Sequence, residues 1–66
     1  MSFTDEDQAT MRRVIAQYGS FDVAYDIDAP DESRWLVDLY DDRQQGKLVG
    51  EGRTFTTAVF DAEKGR

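Results

Sequence analysis

The 66-residue chain contains no cysteine, no histidine and a single proline. Without cysteine, neither a disulfide framework nor a thiolate metal site can form, and without histidine the commonest general base and metal ligand is missing. These absences exclude many enzyme chemistries. We therefore expect a protein that is not an enzyme and that binds no metal or other cofactor.

Long apolar runs are missing as well. No stretch of the sequence approaches the roughly 18 apolar residues of a membrane span, and three acidic side chains follow soon after Met1, where a signal peptide is basic and then apolar. We expect a cytoplasmic protein that does not contact a membrane.

Length and composition favour one folded domain over residues 1–66. A chain this short allows only one small core. Hydrophobic residues make up 39% of the chain and aromatic residues 12%, which is more apolar material than a disordered segment usually carries.

The N-terminal part of the sequence is typical of a helix. Thr4 followed three residues later by Asp7 predicts a variant capping box, in a first turn whose negative charge suits the helix dipole. A 3.6-residue period predicts a helix over residues 4–18 that Gly19 ends. Its apolar stripe consists of Met11, Val14, Ile15 and Tyr18.

After Gly19 the hydrophobic period changes to two, which is typical of half-buried strands. The pattern predicts an antiparallel meander of strands over residues 21–28, 34–42 and 47–52. On the third strand, Gly50 and Gly52 would let another backbone approach closely.

The last segment predicts a second helix over residues 54–63. Thr54 is a typical N-cap, and an apolar stripe follows it at helical spacing: Phe55, Ala58, Val59 and Ala62. The alternative extends the third strand through residues 53–60, because threonine, phenylalanine and valine favour strands. The helical interpretation gives an α+β fold, α-β-β-β-α, with a three-stranded antiparallel sheet packed on two helices.

One local motif resembles a known family. Double-stranded RNA-binding domains have the same element order and carry G-x-G-x-S-K-K-x-A-K-x-x-A around the third strand and second helix. The matching glycine, hydroxyl and alanine positions here are Gly50, Gly52, Thr54, Ala58 and Ala62. The family's RNA-contacting lysines are replaced by Phe55, Thr56 and Val59. The resemblance therefore implies the topology, and we expect no direct binding of nucleic acid.

Negative charge is concentrated in the middle of the chain. Residues 20–42 contain eight acidic side chains and one basic one, a net charge of −7, whereas the whole chain carries −6. We predict that seven carboxylates lie over one sheet face and its edge, together with an apolar strip whose anchors are Leu36 and Tyr40. Ala24 and Val49 are expected in the same strip. The carboxylates are Asp22, Asp26 and Asp28 on the first strand, Asp31 and Glu32 in the turn, and Asp38 and Asp42 on the second strand.

These carboxylates have two simpler interpretations. Exposed strand positions are often polar for solubility alone, although like charges opposite each other across strands are destabilising. The turn is also loosely similar to a calcium-binding loop. Pro30 and Val37 occupy positions where that loop needs oxygen ligands, so we expect no metal there.

The size, the acidity and the lack of cysteine are similar to those of small phage and mobile-element proteins, including some anti-CRISPR proteins. The resemblance implies a DNA-mimic inhibitor, a monomer that binds the basic nucleic-acid-binding surface of a partner protein, such as a CRISPR effector subunit. The alternative is a small regulatory or structural module, similar to an antitoxin or an accessory subunit, that acts by protein–protein interaction or dimerises through its sheet edge.

Overall fold

A computed structural model describes residues 3–41 and 46–64 of the chain. Its elements are α1 (Asp5–Gln17), β1 (Ser20–Tyr25), β2 (Trp35–Asp41), β3 (Gly46–Gly52) and α2 (Phe55–Lys64), with a short 3-10 turn over Asp31–Ser33. The three strands form an antiparallel sheet in the order β1-β2-β3. The predicted α+β fold and its element order are therefore confirmed.

The extension of the third strand through residues 53–60 is wrong, because this segment begins the helix α2. Thr54 accepts the Thr57 N–H at its Oγ1 (3.1 Å) and so caps the helix. The α2 stripe Phe55, Ala58, Val59 and Ala62 is buried. In a strand, alternate side chains of this segment would point away from the core.

The first strand is shorter than predicted. β1 ends at Tyr25 and does not reach residue 28. The Asp26 carboxylate accepts the Asp28 N–H (3.0 Å), which is an Asx-turn that redirects the backbone. The alternation of apolar and acidic residues thus continues past the end of the strand, and Ile27 is exposed.

The core lies between one face of the sheet and the two helices. Trp35, Val37 and Leu39 alternate along β2 and point towards the helices. α1 contributes Val14 and Tyr18 to the same core, with Met11 partly buried beside them. No helix among the described residues is long and apolar enough to cross a membrane.

The buried face of α1 differs from the predicted stripe at Ile15, which is 62% exposed. The buried positions of α1 include Asp7 and Thr10 as well as Val14. These polar residues face α2, and they rotate the helix so that Ile15 points away from the core.

Asp7 joins the first turns of both helices. Within α1, the predicted capping box is present: Thr4 Oγ1 accepts the Asp7 N–H (3.1 Å), and the Asp7 carboxylate accepts the Thr4 N–H (3.3 Å). The other Asp7 oxygen accepts the N–H (3.0 Å) and the hydroxyl (2.6 Å) of Thr56 near the start of α2. One carboxylate therefore caps two helices.

These hydrogen bonds set the ionisation of Asp7. Burial raises the pKa of the carboxyl, but the bonds from Thr56 and Thr4 outweigh burial and hold the pKa below its ordinary value.

The two helices lie side by side and run in the same direction, since their C-terminal halves are joined as well as their first turns. There, Arg13 makes a bidentate ion pair with Glu63 (2.9 Å), and the Tyr18 hydroxyl donates to Glu63 (2.6 Å).

The glycines of β3 allow α2 to lie directly on the sheet, as their spacing predicts. A Cβ atom at Gly50 would stand 2.2 Å from the Ala58 carbonyl oxygen and 2.3 Å from the Ala62 nitrogen. At Gly52 it would stand 2.7 Å from the Ala58 nitrogen. These obstacles are backbone atoms, so a side-chain rotation cannot remove the clash.

We predict that Asp7→Asn lowers the free energy of unfolding by about 1 to 3 kcal/mol at neutral pH, because the charged acceptor at two helix starts is lost. The lowered pKa means that Asp7 stabilises the fold above the ordinary aspartate pKa of about 3.9. This stabilisation is lost as the pH falls through the lower value of the folded state. Urea unfolding of both proteins at several pH values measures the difference.

Asp5→Asn is the matched control, since Asp5 lies in the same helical turn and is exposed. A difference between wild type and Asp7→Asn that does not shrink as the pH falls below the ordinary aspartate pKa would contradict the role assigned to the ionised carboxylate.

We also predict that Gly50→Ala destabilises the fold by about 2 kcal/mol or more, because overpacking must move α2 away from the sheet. Thermal unfolding followed by circular dichroism measures the loss. Gly19→Ala provides the comparison, since Gly19 lies in the exposed link between α1 and β1. Equal effects of the two substitutions would mean that the close contact between β3 and α2 is unimportant.

Candidate functional site

The candidate site is the face of the sheet that points away from the helices, here called the outer face. Because side chains alternate along a strand, the residues between the buried positions of β2 fall on this face, and the strand register identifies their neighbours. Three cross-strand rows result: Ser20, Tyr40 and Lys47; Asp22, Asp38 and Val49; Ala24, Leu36 and Glu51.

Two carboxylates stand next to each other in the middle row. Asp22 and Asp38 are direct partners in the β1–β2 register, where opposite Cα atoms lie about 5.5 Å apart in a hydrogen-bonded pair. Neither carboxylate forms an ion pair with a cation of residues 3–41 or 46–64. The sheet therefore holds two like charges together on a face open to solvent.

Tyr40 lies beside this pair and bonds to it. Its hydroxyl donates to the Asp22 carboxylate (3.2 Å). This hydrogen bond is the main reason why the pKa of Tyr40 lies above its ordinary value, and the negative charges of Asp22 and Asp38 raise it further. Tyr40 thus presents, on the outer face, an aromatic ring whose hydroxyl is hydrogen-bonded to the Asp22 carboxylate.

An apolar patch adjoins the carboxylates. Leu36 and Val49 are exposed, Val49 by 60%, and Ala24 lies beside Leu36 in the register. With Asp22 and Asp38, these side chains line a shallow depression of about 240 Å³. An aliphatic centre with polar groups at its side is typical of surfaces that bind other proteins.

Four of the nine predicted site residues come together on this face: Asp22, Leu36, Asp38 and Tyr40. Val49 of β3 was also expected on this face, but the prediction missed Lys47 and Glu51 of the same strand. The signal was available in the sequence, because Lys47 and Glu51 occupy the same alternate positions of the predicted third strand as Val49. The face is therefore acidic along β1 and β2, while β3 brings one charge of each sign.

The remaining acidic residues lie elsewhere. Asp26 and Asp28 were expected on the first strand, but they belong to the turn after β1, for the reason given above. Asp31 and Glu32 lie in the 3-10 turn at the end of the sheet. Asp42 falls outside the described residues.

Within the turn, Asp31 has cationic partners of its own. It pairs with Arg34 (3.6 Å) and with Arg53 (3.3 Å), so much of its charge is balanced inside the molecule. Arg34 also donates to the Ala29 carbonyl (3.2 Å), which ties the turn to β2. Among residues 3–41 and 46–64, no group of three carboxylates is placed to hold a metal ion.

The hydrogen bond between Tyr40 and Asp22 can be tested directly. We predict that Asp22→Asn lowers the pKa of Tyr40 towards its ordinary value, because the neutral amide no longer stabilises the protonated hydroxyl. An NMR titration of the tyrosine rings measures the change. Asp5→Asn removes the same charge from α1 and should leave Tyr40 unaffected; an identical Tyr40 titration in wild type and Asp22→Asn would show that the bond does not form.

Comparisons with known proteins do not assign the chain to a family. No family model matches it, and no match was found among curated proteins or among solved structures.

Proposed function

We propose that this chain is a non-enzymatic acidic inhibitor that binds the basic nucleic-acid-binding surface of a partner protein. The outer face supplies the contact, with Asp22 and Asp38 in the place of nucleic-acid phosphates. The observation that carries the proposal is the opposed pair Asp22 and Asp38 on an open face, with no ion-pair partner in residues 3–41 or 46–64.

The energetics of this pair favour a binding role. Like charges directly opposite each other in a sheet reduce stability by roughly 0.2–1 kcal/mol. An asparagine at either position would keep the polar surface without that repulsion. A partner's arginine can bond two adjacent carboxylates with its planar guanidinium group, and such a contact would convert the repulsion into attraction.

The apolar patch supports a protein as the partner. Leu36 and Val49 offer aliphatic surface next to the carboxylates, and Tyr40 adds an aromatic ring whose hydroxyl is already oriented. Protein interfaces use such anchors at their centre and charged groups around them. Free nucleic acid would be repelled by the same carboxylates.

The concentration of charge also favours a basic partner. The acidic excess of the chain resides in residues 20–42, which include the whole of β1 and of β2. Such a field accelerates encounter with a positive surface within a Debye length of about 8 Å at physiological ionic strength. A CRISPR effector subunit or another nucleic-acid enzyme of a bacterial host belongs to this class of partner.

We predict that Asp22→Asn/Asp38→Asn abolishes binding while raising the free energy of unfolding by about 0.2–1 kcal/mol, because the repulsion between the two side chains is removed. Wild type and variant are immobilised, and the bacterial proteins that each retains are identified by mass spectrometry. Each retained nucleic-acid-binding protein is then tested with fluorescent duplex DNA and RNA, which the wild-type chain should displace and the variant should not.

The control is Asp5→Asn/Glu6→Gln, which removes the same two negative charges but from the exposed first turn of α1. It should bind like wild type. If both double variants lose displacement equally, the effect is due to net charge and not to the outer face. If Asp22→Asn/Asp38→Asn displaces nucleic acid as well as wild type does, the outer face is not the binding surface. Association should also slow as salt rises, since electrostatic steering is screened.

A further inference from the structure

The two edges of the sheet are not equivalent. β1 and β3 are the terminal strands, and each presents backbone groups that the sheet itself does not pair. Proteins usually protect such edges with charges or by covering them, because an open edge is a template for another strand. The difference between the two edges is therefore informative.

The β3 edge is protected. The Glu51 N–H points outward and donates to the Asp61 carboxylate of α2 (3.1 Å). Lys47 and Glu51 place charged side chains along the same edge, and the glycines of β3 offer little side-chain surface for pairing. A second strand would have to displace Asp61 to add to this edge.

The β1 edge is open among the described residues. The Asp26 N–H donates to the Arg34 carbonyl (2.8 Å), in the same register that joins β1 to β2. Backbone groups alternate in direction along a strand, so the even-numbered residues of β1 pair with β2. The N–H and C=O groups of Phe21, Val23 and Tyr25 must then point away from the sheet.

The side chains of these three residues are apolar and incompletely covered. They lie on the helix side of the sheet, opposite Leu39, Val37 and Trp35. Nevertheless, Val23 is 37% exposed and Tyr25 is 38% exposed, because α2 covers β2 and β3 while α1 leaves part of β1 uncovered. The open edge therefore combines free backbone groups with apolar surface.

We propose that β1 pairs antiparallel with β1 of a second copy of this chain, about a two-fold axis at Val23, to form a six-stranded sheet. In this register Phe21 faces Tyr25 of the second copy, and the two Val23 residues face each other. Since the outward backbone groups belong to these residues, the three pairs form about six hydrogen bonds. Phe21 and Tyr25 then make an aromatic cross-strand pair on either side of the axis.

The positions of the carboxylates disfavour the two neighbouring registers. With the axis at Val23, Asp22 faces Ala24 of the second copy and Asp26 faces Ser20. Moving the axis to Asp22 would place the two Asp22 side chains opposite each other, and moving it to Ala24 would place Asp22 opposite Asp26. Both shifts create like-charge pairs, which are destabilising.

The pairing goes beyond the proposed inhibitory function and does not depend on it. It would make the chain a dimer, whereas the sequence predicted a monomer with dimerisation through the sheet edge as the alternative. It also extends the outer face, because two Asp22–Asp38 pairs come to lie on one continuous sheet. Since each copy carries a net charge of −6, repulsion opposes association, and added salt should strengthen the dimer.

The first test is the mass of the native chain by light scattering and sedimentation over a range of protein and salt concentrations. We expect a monomer–dimer equilibrium that shifts towards the dimer with salt. Amide hydrogen exchange gives the residue-level result: protection of Phe21, Val23 and Tyr25 should rise with protein concentration, whereas Asp22 and Ala24 should be protected throughout. A chain that stays monomeric at its highest attainable concentration would overturn the proposal.

The second test is Val23→Pro, which removes one outward N–H from each copy and is compatible with an edge strand. We expect the dimer Kd to rise about tenfold or more, because two hydrogen bonds at the axis are lost. Val49→Pro is the matched control, since Val49 also directs its N–H outward but on β3. If Val49→Pro weakens the dimer as much as Val23→Pro does, or if neither variant weakens it, β1 is not the contact between the two copies. If Val23→Pro does not fold, hydrogen exchange of the wild-type chain tests the proposal instead.

Discussion

The fold depends on one buried carboxylate. Asp7 accepts hydrogen bonds from backbone N–H groups at the start of both α1 and α2. One carboxylate oxygen bonds to α1 and the other to α2. The first turns of helices carry unpaired N–H groups and partial positive charge. Bringing two such ends together would be unfavourable without an anion between them. Asp7 supplies that anion, and it thereby fixes the position of α1 on a helix that itself lies directly on the glycines of β3.

Local features of the fold could be predicted from the sequence because their determinants lie a few residues apart. The capping box joins Thr4 and Asp7, Thr54 caps the turn that contains Thr57, and the stripe of α2 repeats with the helical period. The role of Gly50 and Gly52 was also predictable, because a glycine within a strand often marks a site where another backbone approaches closely. Together with the period-two alternation after Gly19, these features predict the α-β-β-β-α order without any knowledge of distant contacts.

Features that depend on distant contacts could not be predicted in the same way. Asp7 and Thr56 are 49 positions apart, and hydrophobic periodicity does not detect a polar contact. Since this contact sets the rotation of α1, Ile15 was placed in the core although it faces outward. Asp26 and Asp28 were placed on the first strand for a related reason: their alternation with apolar residues continues after the backbone has turned. Of the acidic cluster, the pair Asp22 and Asp38 kept its place because both residues lie inside strands.

The outer face is structurally independent of the core. Its side chains lie on the side of the sheet away from α1 and α2, whereas every buried side chain of β2 lies on the opposite face. Substitutions at Leu36, Asp38 or Val49 therefore leave the helix contacts and the glycine contacts unchanged. The side chains of this surface can therefore be exchanged without disturbing the contacts that hold the fold together.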